Sequence, residues 1–246
     1  MQKKTLFDEL RPFTETGFRE IYKRFIYINC RTLLDEMLPG ELDDHITGII
    51  AYCYIDKTEG ISFRPVLLAA MSKMSMQVFT FPHQEDTIFV LRLRRGDVQK
   101  GELHEYGRHM YIYGVDPDKL AFFDLSVLNV PFEKFSDFQD MIDTSYDPGP
   151  DVEELRSEKY AYLDQFRHEF YPDDVRALLF TKENGLEEVW VRLMFRHENE
   201  LFGRLLNEPY KNYGCHEGTI IGLVLVKSGD DRVLIFNGST VELAEN

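Results

Sequence analysis

What most limits the fold of this chain is a succession of short apolar and aromatic runs, each closed by turn residues. IIAYCYI (49–55), MQVFTF (76–81), TIFVLRL (87–93), HMYIYGV (109–115) and LAFFDLSVL (120–128) form a first series. VRALLFT (175–181), EEVWVRLMF (187–195), GTIIGLVLV (218–226) and RVLIFN (232–237) form a second. Runs of this length, rich in β-branched and aromatic residues and separated by DKTEG, PHQED or DPDK, read as strands. RPVLLAAMSKM (64–74) suits a helix or a strand. Asp116-Pro117-Asp118, Asn184-Gly185 and Gly229-Asp230 are hairpin candidates because their residue types reach turn conformations cheaply. Nineteen Phe and thirteen Tyr point the same way, since aromatics pack well on pleated surfaces.

Three stretches carry helical spacing instead. From Gly17, apolar residues at Phe18, Ile21, Tyr22, Phe25, Ile26, Cys30, Leu33, Leu34, Met37 and Leu38 follow the i, i+3, i+4 pattern, and Pro39-Gly40 would stop the helix. Pro131 suits a first helical turn, with Phe132, Phe135, Phe138 and Ile142 on one face. VEELRSEKYAYLDQFRHEF repeats the signature through Leu155, Tyr162, Leu163, Phe166 and Phe170 up to Pro172. Between the last two, DTSYDPGPD has linker composition. The expected fold class is therefore α+β, in two modules of helix plus antiparallel sheet. They span 1–143 and 152–246, joined by a linker at 144–151. Residues 86–103 faintly echo 187–205, which generic hairpin patterning explains at least as well as duplication.

A net charge of −15 over 246 residues disfavours nucleic acid as a general partner, because phosphates would be repelled. No run approaches the length of a membrane helix, and MQKKTLFDELRPF lacks the apolar core of a signal peptide. Cys30, Cys53 and Cys215 are too few and dispersed for a disulfide framework. The expected location is the cytoplasm.

Chemical motifs are sparse. HEYGRH places His104 and His109 five residues apart, whereas two zinc ligands on one helical face need a spacing of four; a polar loop is expected. Cys215, His216 and Glu217 are the residue types of a thiol site. Adjacent residues of an extended chain point to opposite sides, however, so Cys215 and His216 do not easily pair as nucleophile and base. A turn leading into the next strand is expected. Phosphate-binding glycine loops and a nucleophile elbow are lacking. Tyr111, Tyr113, Phe122 and Phe123 read as core, and no cofactor or metal is expected.

Within the last third, EEVWVRLMF, then FGRLLNEP, then HEGTIIGLVLV resembles the YegJ-like bacterial family of unknown function over about residues 175–237. The matching positions are Glu188, Trp190, Val191, Gly203, Leu205, Asn207, Pro209 and Gly218. An Asp-Trp pair that usually closes the family pattern has no counterpart in VLIFNGSTVEL. The resemblance implies a small α+β domain with an antiparallel sheet and brings no activity. Trp190 is expected to pack the sheet on its helix, Gly203 to sit at a bulge or tight bend, and Asn207 to cap a turn. Trp190, Asn207, His216 and Glu217 are the candidate binding residues. The expected function is non-enzymatic protein binding of adaptor or immunity type, with a basic protein as partner. The competing expectation is a hydrolase using His104, His109, Cys215, His216 and Glu217 gathered between the modules.

Overall fold

The computed structural model describes residues 5–81, 88–93, 102–106, 109–115, 117–125, 132–229 and 231–241, with the backbone alone for 37, 88–89, 102–106 and 109–115. The chain is mixed α/β and mostly sheet, and it divides into two compact units, 1–147 and 148–246.

Unit 1 is built on one large sheet. Its strands are β1 (Arg11–Pro12), β2 (Phe25–Asn29), β3 (Gly48–Asp56), β4 (Gly60–Met71), β5 (Met76–Thr80), β6 (Ile88–Leu93), β7 (Glu102–Tyr106), β8 (His109–Val115) and β9 (Ala121–Asp124). They lie in the order β1-β9-β2-β3-β4-β6-β8-β7, with β5 also on β4. β6 and β8 are parallel. Both faces are apolar at the centre, and every residue of β3 except Asp56 is buried. On one face Tyr27, Ile50, Tyr52 and Phe123 meet Ile142, with Phe132, Phe135 and Phe138 packed alongside. Ile142 and Phe138 belong to α3 (Ser136–Ser145), and Asp143 on the same helix accepts a 2.7 Å hydrogen bond from the Tyr52 hydroxyl.

The helix expected from Gly17 to Leu38 is instead three elements. One turn, α1 (Phe18–Ile21), and α2 (Arg31–Met37) flank β2. Lys23 adopts a left-handed φ of 56°, and its N–H donates to Cys53 O, which starts the pairing of β2 with β3. Phe25, Ile26, Tyr27 and Ile28 are all buried. A strand covered on both faces has no alternation to separate it from a helix, so its apolar run merged with its neighbours into a false helical period. Asp116-Pro117-Asp118 is no hairpin either. Pro117–Lys119 form a single 3-10 turn, and β9 joins β2 and β1 rather than β8; Asp116 and Pro131 lie outside the described residues. Of HEYGRH, expected as a polar loop, His104 to Tyr106 end β7 and His109 starts β8, while Gly107 and Arg108 lie outside the described residues.

Unit 2 is a closed five-strand barrel made of β10 (Asp174–Thr181), β11 (Gly185–His197), β12 (Glu200–Leu205), β13 (Ile220–Ser228) and β14 (Asp231–Val241). Neighbours are antiparallel, and β14 closes onto β10 in parallel at Leu178–Ile235. Val175, Ala177, Leu179, Val189, Val191, Leu193, Leu223 and Leu234 fill the interior. The expectation for this unit omitted β12, whose ELFGRL sequence reads as turn and bend. Gly203 lies opposite Leu193 at a register shift, where a Cβ would come within 2.6 Å of Arg192 O and of Val191 Cγ1. Only glycine lets the two backbones approach this closely.

The segment preceding the barrel is also shorter in helix than its spacing suggests. α4 (Pro150–Arg156) ends at Ser157, whose backbone is extended, and 3-10 turns follow from Glu158 to Phe166. Leu155, Tyr160, Leu163 and Phe166 join the barrel core. Arginines brace the segment and the strand it leads into. Arg156 is 3% exposed and forms a two-pronged ion pair with Asp173, at 2.9 and 2.6 Å. Arg192 grips Asp174 in the same way at 2.7 and 2.9 Å. Arg167 donates to the carbonyls of Leu155 and Pro172. Removing one partner of a buried pair leaves the other charge uncompensated, which costs about 3–5 kcal/mol. Arg156→Ala is expected to lower the stability of the barrel by that amount in urea titrations. Trp190, the only tryptophan, lies in β11, so its fluorescence reports this unit. An unchanged midpoint would show that the pair is not holding the segment.

Candidate functional site

The loop between β12 and β13 contains Asn207, His216 and Glu217, and Trp190 lies beneath its start. Where β12 ends, Leu206 N–H donates to Trp190 O at 2.9 Å, and Asn207 Oδ1 accepts the Trp190 N–H at 2.8 Å. The Asn207 side chain therefore carries the ladder one step beyond the strand. Glu208 then organises the far end of the loop. Its Oε1 lies 2.8 Å from His216 Nδ1, and its Oε2 accepts the Glu217 N–H at 2.8 Å. Both bonds favour the charged carboxylate, so the Glu208 pKa is lowered, by His216 first and by the Glu217 amide second. Tyr210 N–H donates to Glu187 Oε1, Lys211 Nζ to Asn184 O and Asn184 Nδ2 to Asn212 O, which pins the loop to the β10–β11 hairpin.

Cys215 and His216 diverge. Cys215 is 2% exposed and belongs to the barrel core, and burial pushes its thiol pKa up, the opposite of what a nucleophile needs. The His216 side chain is 75% exposed and turned to Glu208. The triplet is thus the turn into β13, with Thr219 closing it through His216 N–H to Oγ1. His104 and His109 sit in β7 and β8, paired with Tyr111 and Tyr106. Among the described residues, no group of three His, Cys, Asp or Glu is placed to hold a metal ion, and no helix is long and apolar enough to cross a membrane.

Trp190, expected to pack the sheet on its helix, lies on the outer side of the barrel. Even-numbered positions of β10 and β11 face outward, and Trp190 is half-buried there, edge-on to His168 at 5.2 Å. His168 Nδ1 accepts the Phe170 N–H. Burial lowers the pKa of His168, opposed by Asp174 and Glu169.

The same outward face shows what the sequence reading missed. Phe180 pairs with Leu186 across the hairpin, Leu178 with Ile235 across the closure, Ile235 with Val224, and Val233 with Val226. Paired residues share a face, so the barrel carries an apolar stripe across β13, β14, β10 and β11 on its outside. Phe180 is 51% exposed, Leu186 64% and Val226 40%; Tyr210, on the loop bonded to Glu187, is 96% exposed. The signal lay in TIIGLVLV, apolar at consecutive positions where a half-solvated strand alternates.

No protein-family model, curated protein or solved structure matches the chain.

A histidine with a lowered folded pKa binds its proton more readily when unfolded, so its contribution is present above the unfolded value near about 6.5 and is lost as pH falls below it. Barrel stability is expected to decline between about pH 7 and pH 5.5, and His168→Gln should flatten that decline. Glu208, also lowered, contributes in a separate window below the ordinary carboxylate value. Urea midpoints at each pH, followed by Trp190 fluorescence, check the assignment; an equal slope in the variant would reject it.

Proposed function

We propose that this chain is a non-catalytic protein-binding module of adaptor or immunity type, working in a reducing cytoplasm and docking through the outer wall of its barrel. The apolar stripe centred on Leu178, Phe180 and Leu186 is the single observation that carries the reading. Contiguous exposed apolar surface is costly in water, and on folded proteins it marks interaction sites. Large exposed side chains such as Leu186 and Tyr210 supply the anchors that interfaces use.

Charge does not choose the surface. Residues 1–147 carry −7 and residues 148–246 carry −8, so the acidity is divided almost evenly. It would speed the approach of a basic partner without selecting where that partner lands. The YegJ-like resemblance bears on the fold of the barrel, read as a helix-backed module. Its signature residues have structural duties here: Gly203 at the register shift and Asn207 at the strand end. The hydrolase reading loses its nucleophile, because Cys215 is buried away from His216.

A photocrosslinking residue placed at Leu186 in cells that express the chain tests the wall. Adducts are expected from position 186 and not from exposed Glu198, at the opposite hairpin of β11. Equal labelling at both positions, or none at 186, would sink the proposal.

A further inference from the structure

We infer that the occupant of the barrel wall is a second copy of this chain, packed stripe to stripe about a twofold axis. The inference rests on the docking role proposed for the wall and names its partner. Two chains of −15 repel each other over most of their surfaces, and can meet only where charge is locally balanced. The flanks of the stripe are balanced. Lys182 adjoins Glu183 at the exposed tip of the β10–β11 hairpin, and Asp231 adjoins Arg232 at the start of β14. Between them Arg176 lies 3.8 Å from Glu188.

β14 runs parallel to β10 with Ile235 level with Leu178. The Asp231–Arg232 end and the Lys182–Glu183 end therefore lie at opposite limits of the stripe. A twofold axis crossing the stripe near Leu178 lays each end of one copy against the other end of its partner. Lys182 then faces Asp231, twice over, as an isologous interface requires. A strongly basic partner would meet as many cations as anions here, so self-pairing fits this rim better. Apolar surface removed from water supplies the affinity, and the ion pairs set the register.

Sedimentation equilibrium on the full chain tests the inference. A concentration-dependent dimer is expected. Phe180→Glu and Leu186→Glu each set a charge against the apolar half of the stripe on the other copy, around Val226 and Val233, and each should weaken the dimer by at least about 30-fold, the loss typical of one interface anchor. Both positions are more than half exposed, so the variants should keep the wild-type thermal transition. Lys182→Glu should weaken association, and adding Asp231→Lys should restore it, a rescue that a general surface effect would not produce. Wild-type chain that stays monomeric, or a dimer that these substitutions leave unchanged, overturns the inference. If Leu186 then still crosslinks to other proteins, the wall remains a docking surface with a different occupant. If it crosslinks to nothing, the docking role fails with it.

Discussion

Five strands joined in an unbroken meander alternate in direction, so the first and last run the same way and the ring can close only through a parallel pair. In this barrel the closure is the single register of Leu178 with Ile235. Strand side chains alternate strictly, so this register determines the face of every residue on both strands. Val175, Ala177, Leu179 and Leu234 turn inward and fill the core. Leu178, Phe180 and Ile235 must then turn outward, whatever water makes of them. A slip by one residue would put Leu234 outside and leave the interior short of a buried side chain. The apolar wall is thus the other side of the core, produced by strands that are apolar on both faces.

Polar side chains do a different job around the same barrel. Arg156, Arg167 and Arg192 spend their donors on Asp173, Asp174 and backbone carbonyls. Asn207 and Glu208 supply acceptors instead, to the Trp190 N–H at the strand end and to the Glu217 N–H in the turn. Groups committed in this way tie α4 to the entry of β10, cross-link β10 to β11 and hold the loop at 206–219 against the strands. Their hydrogen-bonding capacity is taken up by the structure they support.

Most strands could be read from the sequence because their edges carry turn residues with a mechanical role. Gly185 at a φ of 75° is an example. The failures have physical causes too. β2 was absorbed into a helix because burial on both faces erases period two. β12 was lost because Gly203, whose value lies in close backbone approach, looks like a turn residue in sequence. Trp190 was expected to pack the sheet on its helix, and parity in β11 puts it on the outer side with Glu188 and Arg192. Cys215 and His216 face apart, as neighbours in an extended chain do, and form the turn into β13 that the sequence led one to expect. The wall needed the closure register, a contact between residues 57 positions apart, which no local pattern encodes.

The three cysteines acquire a use from their burial. Cys30, Cys53 and Cys215 are all reduced and all buried, two in the sheet unit and one in the barrel. A thiol reagent can reach any of them only when the surrounding structure opens. Each unit therefore carries its own clock. The rate at which Cys215 is alkylated times the breathing of the barrel, and the rates at Cys30 and Cys53 time the sheet. The two units can be followed separately within one intact, unmodified chain.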